Sequence, residues 1–256
     1  MPSLKNTIVF VTGASSGIGR SCARAFAREG ASILLAARRA DRLNDLAKSL
    51  AAEYEVPVRS FALDVRNRAD VDRSLAALPD EWKPIDVLVN NAGLSRGLDK
   101  LQEGLISDWE EMIDTNVKGL LYVSRAVLPG MVRRGRGHVI NIGSIAGHEL
   151  YPAGNVYCAT KFAVKALSRG LRLDLSGTNI RVSTVDPGMV ETEFSEVRFH
   201  GDAERAAKVY QGLTPLSPED VAEAVLFCAT RPPHVNISEV IVMPTDQAST
   251  TLVHRK

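Results

Sequence analysis

Short apolar runs alternate along the chain with longer stretches in which apolar residues return every three or four positions. The short runs are TIVFVT (7–12), SILLAAR (32–38), VRSFALDV (58–65), DVLVNNA (86–92), HVINIGS (138–144), RVSTVDP (181–187) and EVIVMP (239–244). They are β-branched and nearly continuous rather than alternating, which marks strands buried on both faces of a parallel sheet. The longer pattern predicts helices over Ile18–Glu29, Arg42–Glu53, Asp108–Arg133, Val156–Leu175 and Pro218–Ala229. Strand, helix and strand repeated in this way predict an α/β, doubly wound fold: a seven-stranded parallel sheet with helices on both faces. No Pro/Gly/Ser-rich linker or repeat divides residues 1–256, so a single domain is expected. Glu191–Pro218 breaks the rhythm, being long, charged and placed after a strand end. A loop of that length is read as a substrate lid, over about 189–216.

Composition narrows the function classes. Thirty-one basic residues against 30 acidic ones leave a net charge of +1, so there is no electrostatic case for nucleic acid or an anionic membrane. The dense basic run RRGR, Arg133–Arg136, is read as a solvated turn. No apolar run approaches the roughly 20 residues of a membrane span. The start, MPSLKNTIVFVTG, reads as a strand and not as a signal peptide. Cys22, Cys158 and Cys228 are far apart, without metal or redox spacing. They are expected to be core residues of a reduced, cytoplasmic protein with no metal.

The first strand runs into TGASSGIG, with glycines at 13, 17 and 19 between a strand and a helix. That context turns a weak glycine triplet into a dinucleotide site. Gly13 permits the tight turn, and Gly17 and Gly19 let a pyrophosphate and the next helix come close. Ser15, Ser16 and Ile18 complete the stretch facing the phosphates at the helix N-terminus. The end of the second strand meets the adenine ribose in such folds. Here it carries AARR, and the first acid is Asp41. A carboxylate would repel a 2′-phosphate, whereas Arg38 and Arg39 can bond to one. NADP(H) is therefore the expected cofactor; the bland alternative is a pair of solvated arginines.

NVYCATK puts Tyr157 four residues before Lys161, one turn apart on a helix face. A core tyrosine beside a solvated lysine would give the same spacing. The chemical reading is that the ammonium favours phenolate, so that Tyr157 trades protons with a substrate. His148, in the loop between Ser144 and Tyr157, is read as a surface residue of the substrate loop. Cys158 falls about 100° round the helix from Tyr157, towards the core or a partner subunit.

Taken together, Thr-Gly-x-x-x-Gly-x-Gly, NNAG at Asn90–Gly93, Asn116, Ser144, Tyr157 with Lys161, Pro187–Gly188 and Thr192 stand in the order of the short-chain dehydrogenase/reductase family, which this chain resembles over most of its length. The resemblance implies a Rossmann fold with Asn116, Ser144, Tyr157 and Lys161 as catalytic residues. It places Asp64 and Val65 at the adenine edge and Asn91 and Gly93 near the adenosine. Pro187, Gly188, Val190 and Thr192 fall beside the nicotinamide, with Tyr157 and Lys161 reaching its ribose. The C-terminal third resembles the subgroup of NADP-dependent 3-hydroxy acid dehydrogenases, which includes serine 3-dehydrogenase and allo-threonine dehydrogenase. That implies a small 3-hydroxy acid or its semialdehyde as substrate and a homotetramer built on the two long helices. Carbonyl or sulfoaldehyde reduction is the alternative within the family. A non-catalytic NADPH-binding regulator would have no use for Ser144, Tyr157 and Lys161 together. Ser144 and Tyr157 would hold the substrate oxygen. Arg198 is the only Arg or Lys between Pro187 and Asp202 and is expected to grip the acid group through two parallel bonds. Arg96 is the rival clamp, and an exposed Arg198 paired with a local glutamate is the remaining reading.

Overall fold

The computed structural model describes residues 4–256; the first three residues of the expected domain lie outside the described residues. The strands are β1 (Ile8–Thr12), β2 (Ser32–Ala37), β3 (Val58–Ala62), β4 (Val87–Asn90), β5 (Gly137–Ile142), β6 (Ile180–Pro187) and β7 (Glu239–Val242). The helices are α1 (Gly17–Arg28), α2 (Ala40–Tyr54), α3 (Arg68–Ala76), α4 (Ile106–Ile113), α5 (Leu120–Arg134), α6 (Asn155–Asp174), α7 (Phe194–Arg198), α8 (Ala203–Tyr210) and α9 (Pro218–Ala229). The strands form one seven-stranded sheet in the order β3-β2-β1-β4-β5-β6-β7, and every neighbouring pair is parallel.

Two apolar cores explain the unbroken apolar runs. Val9, Val11, Ile33, Leu35 and Val89 face one way, onto residues of α1, α2 and α9. Ile8, Phe10, Leu34, Leu88 and Val139 face the other way, onto residues of α3 and α5. Successive strand residues thus serve opposite faces, as the period of two requires. Helix starts are chemically marked. Ser217 and Asp220 form a reciprocal capping box with Pro218 in the first turn of α9.

All strands but β6 are shorter than their apolar runs, because the runs overshoot into loops. β3 stops before Asp64 and Val65, β4 before Asn91 and Ala92, and β5 before Gly143 and Ser144. Those overshoots lie at the carboxyl edge of the sheet, beside the β1/β4 switch in strand order, where doubly wound folds bind ligands. The helix α3 has no counterpart among the predicted ones, since Val71 is its one fully buried residue. The expected helix Asp108–Arg133 is instead α4, a π-helical turn over Asp114–Gly119, and α5.

The stretch expected as an irregular lid contains α7 and α8. Val190 pairs with Leu216 at its base, with Glu191 N donating to Leu216 O at 2.9 Å and Leu216 N to Met189 O at 2.9 Å.

Candidate active site

The glycine turn is held by the ends of β1 and β4. Thr12 Oγ1 accepts from Asn91 N and Ala92 N, both at 3.1 Å. Asn91 Nδ2 donates to Thr12 O at 2.9 Å and Gly13 O at 3.2 Å. Gly13 has φ +65° and Gly17 φ +49°, in the region that favours glycine. A Cβ on Gly19 would lie 2.4 Å from Asn91 Nδ2 and 2.6 Å from Gly13 O.

One cleft runs from the arginine rim past this turn to the first two turns of α6. Of the residues named from the sequence, Gly13, Ser15, Ser16, Gly17, Ile18, Arg38, Arg39, Asp64, Val65, Asn91, Gly93, Ser144, Tyr157, Lys161, Pro187, Gly188, Val190 and Thr192 line it. Gly19, Asn116 and Arg198 are not on its wall. Gly19 sits behind the turn, where only a hydrogen fits against Asn91, which agrees with the close packing expected of it. The cleft also takes in Thr115, Glu193, Phe194 and Val197, for which the sequence carried no signal.

At the rim, Arg39 folds over the glycine turn. Its Nη2 donates to Ser16 Oγ at 2.7 Å and Ser15 Oγ at 3.1 Å, and its Nη1 lies 2.8 Å from Glu193 Oε2. Arg42 holds the other Glu193 oxygen. Arg38 is half exposed, with Glu111 at 3.4 Å. Asp64 is gripped by Arg66, whose Nη2 lies 2.6 Å from Oδ2.

At the other end, Lys161 is 7% exposed and donates to Ile142 O at 2.9 Å. Its ammonium stands 5.8 Å from the centre of the Tyr157 ring. Burial lowers the lysine to about 8, against the opposing pull of Asp186. Burial pushes the Tyr157 phenol up and Tyr151 adds to this, while Arg198 and the neighbouring Ser144 hydroxyl pull it down. The structure therefore adjusts the expected Tyr–Lys logic: without cofactor, desolvation outweighs the charges and the phenol keeps its proton. The cation nearest the ring is Arg198, its guanidinium carbon 5.4 Å from the ring centre.

Arg198 Nη2 donates to the Tyr151 hydroxyl at 3.0 Å, and its Nε is buried without a partner. No carboxylate stands within ion-pair distance of it among the described residues. Arg96 is already committed, to Glu111 at 2.7 Å and to the Val197 carbonyl. Asn116 lies in the π-helical turn. Its amide exchanges two 2.8 Å bonds with the Leu94 backbone and donates to Thr160 Oγ1 at 3.0 Å. His148 is not the surface residue expected. Its side chain is 13% exposed, with Nε2 3.2 Å from Asp186 Oδ2, because the turn at Ile145–Gly147 folds it inward against β6. Cys158 is fully buried, in the cluster with Leu94, Met112 and Tyr157.

In comparisons with known proteins, the short chain dehydrogenase family matches residues 7–203. The NADP-dependent 3-hydroxy acid dehydrogenase YdfG of Salmonella typhi is 52% identical over 250 residues, covering 97% of this chain and 99% of the relative. The NADP-dependent 3-hydroxy acid dehydrogenase of Schizosaccharomyces pombe is 45% identical over 257 residues, covering 100% and 99%. A solved structure described as the closed form of serine dehydrogenase complexed with NADP+ is 50% identical, covers 98% of this chain and 100% of its own, and superposes with a TM-score of 0.92. Motif order, sheet topology and the Ser144, Tyr157 and Lys161 constellation agree with that match, and the chain belongs to the short-chain dehydrogenase family.

Proposed function

We propose that this protein is an NADP-dependent oxidoreductase that moves a hydride between NADP(H) and a small 3-hydroxy acid or the corresponding semialdehyde or ketone. The residues present fit the cofactor: the cleft joins the glycine turn, two arginines at the ribose end and the Tyr157–Lys161 end in one groove. Bound NADP(H) supplies the hydride chemistry; the protein orients and moves the proton. The Tyr157 phenol, kept protonated by burial, donates its proton in carbonyl reduction and takes one back in alcohol oxidation. Ser144 holds the substrate oxygen against it. Lys161 reaches for the nicotinamide ribose, and Asn116 supports a water chain to Lys161. A Cβ on Gly93 would lie 3.2 Å from Asn116 Oδ1 and 3.8 Å from Lys161 Nζ, so the glycine leaves that space open.

The observation that carries the substrate class is Arg198. A guanidinium whose Nε is buried and unpartnered, 5.4 Å from the catalytic ring, suits a carboxylate on the carbon chain of the substrate. The test is Arg198→Ala, assayed on a 3-hydroxy acid and on an uncharged alcohol. A clamp loses kcat/KM for the acid alone, by about tenfold to a hundredfold for roughly 1.5–3 kcal/mol. Equal losses on both substrates would mean that Arg198 only braces α7, and no loss would pass the role to Arg96. A sulfonate satisfies the same guanidinium, so a sulfonated aldehyde belongs in the panel.

The segment 189–216 acts as the substrate lid, and the chain works as a homotetramer in the cytoplasm. Leu121 and Val132 on α5 and Phe162 and Leu173 on α6 are apolar and exposed in the single chain, as an interface would require. Analytical ultracentrifugation tests this; a monomer at micromolar concentration would refute it. No helix among the described residues is long and apolar enough to cross a membrane.

A further inference from the structure

Behind the substrate cleft, the chain that leads into Ser144 is held at two points. Lys161 Nζ donates to Ile142 O at 2.9 Å. Two residues on, Ser144 N donates to Asp186 Oδ1 at 3.1 Å. The fit is close enough that a Cβ on the intervening Gly143 would lie 1.7 Å from that oxygen. Asp186 is 1% exposed. A carboxylate so far from water is costly unless positive charge faces it.

Its second oxygen points at His148. Asp186 Oδ2 and His148 Nε2 are 3.2 Å apart, and neither atom has another hydrogen-bonding partner. On the far side of the imidazole, Lys165 Nζ lies 2.6 Å from Nδ1. Glu239, on β7, completes the cluster, with Oε1 3.5 Å from His148 Nε2 and 3.7 Å from Lys165 Nζ. Arg169 holds the other Glu239 oxygen at 3.1 Å. His148, Asp186 and Glu239 resemble a set of cation ligands, but Lys165 argues against that use. An ammonium donating to Nδ1 requires the proton of a neutral imidazole to sit on Nε2. Nε2 then faces the carboxylates as an N–H, with no lone pair for a metal.

We propose that His148 is a positioning residue: oriented by Lys165, it presents an N–H to the buried Asp186 and keeps that carboxylate in the charged form that anchors the Ser144 backbone and faces Lys161. The groups around the pair come from three directions. They are Glu239 on β7, Lys161, Lys165 and Arg169 on α6, and Asp186 itself on β6. Burial raises the Asp186 carboxyl, while His148 and Lys161 hold it down and Glu239 works against them. Without His148 the balance tips towards the protonated acid. A neutral Asp186 grips the Ser144 N–H less strongly and no longer supports the charge of Lys161. The inference rests on Ser144 holding the substrate oxygen.

The test is the pH profile of kcat for carbonyl reduction with NADPH, in His148→Leu and His148→Gln. Removing a partner raises the carboxyl, so activity tied to its charged form is lost as pH falls through the raised value. The leucine variant should therefore show an acid limb that lies at higher pH than in wild type and recovers as pH rises, with KM for NADPH unchanged. Glutamine, which can still donate to Asp186, should show a smaller limb. A readout without cofactor or turnover is the imidazole tautomer of His148 by 15N NMR, in wild type and Lys165→Met. The wild type should carry its proton on Nε2, and Lys165→Met should lose that preference. A uniform loss across pH in both His148 variants, or a wild-type imidazole protonated on Nδ1 alone, overturns the proposal. If the leucine variant fails to fold, the glutamine profile and the tautomer decide. Ser144→Ala separates the two levels. An active Ser144→Ala sinks the proposed mechanism, whereas an inactive one with flat His148 profiles sinks only this inference.

Discussion

The cleft carries positive charge at both ends, and the two ends use it differently. At the rim, Arg38, Arg39 and Arg42 are 43–51% exposed and rest on Glu111 and Glu193. Exposed pairs of this kind contribute about 0–1 kcal/mol, so an arriving phosphate can displace the carboxylates at little cost. At the catalytic end Lys161 is buried and leans on a backbone carbonyl, and Arg198, half-buried, leans on a tyrosine hydroxyl. There neither charge has a carboxylate within ion-pair distance among the described residues, and Asp186 faces Lys161 from farther off. The rim exchanges one partner for another, whereas the interior holds charge in readiness for a substrate and pays for it in stability.

Four experiments would break or sharpen that contrast. The largest effect is expected at the interior end: Tyr157→Phe should lower kcat by about a hundredfold to ten-thousandfold, while NADPH still binds when followed by fluorescence. Near wild-type turnover would remove Tyr157 from the chemistry. Next comes the rim, where Arg38→Ala with Arg39→Ala should weaken NADPH by about 1.5–3 kcal/mol for each lost bond and leave NADH nearly unchanged. Matching losses for both cofactors would show that the arginines hold the glycine turn and do not read the phosphate.

The third concerns the cost of a buried cation. Lys161 sits at about 8 in the fold, lowered from 10.5 by burial. Below about 8 the folded and unfolded states both carry the charge, and the folded state bears the full penalty. Between about 8 and 10.5 the folded state sheds the proton and the unfolded state keeps it, so this group makes stability rise with pH. The penalty at pH 7 is about 3 kcal/mol at most, and the lost bond to Ile142 offsets about 1 kcal/mol of any gain. Lys161→Met should thus raise the Tm of the cofactor-free protein at pH 7, and the gap should close towards pH 10. A lower Tm at both pH values would mean that the ammonium is not a liability. The smallest effect belongs to the lid: Glu193→Gln should tighten NADPH by up to about fivefold, the worth of an exposed ion pair. Weaker NADPH binding in that variant would show that Glu193 organises the arginines and does not compete with the phosphate.

What the sequence made legible was local. The glycine turn, the Tyr157–Lys161 spacing and the seven parallel strands rest on residues a few positions apart, or on a repeated pattern. Pro218–Ala229 was bounded correctly because Ser217, Pro218 and Asp220 mark its start. The misses came from long separations. Glu193 meets Arg39 across 154 positions, and His148 meets Asp186 across β5 and β6, so neither pairing leaves a periodic trace. His148 looked like a surface residue because it stands in a loop rich in turn-formers between Ser144 and Tyr157; only the fold shows that the turn tucks it under. The lid helices were hidden by charge, and α3 by its single buried side chain.

The contact between Gly143 and Asp186 also restricts the order in which this chain can change. With a Cβ at 143 falling 1.7 Å from Asp186 Oδ1, Gly143→Ala alone must push the Asp186 carboxylate off the Ser144 N–H. The same alanine becomes admissible once position 186 carries a smaller side chain such as serine. The two sites are therefore epistatic, as touching residues generally are. A stepwise route that visits 186 first avoids the clash, and one that visits 143 first must pass through it.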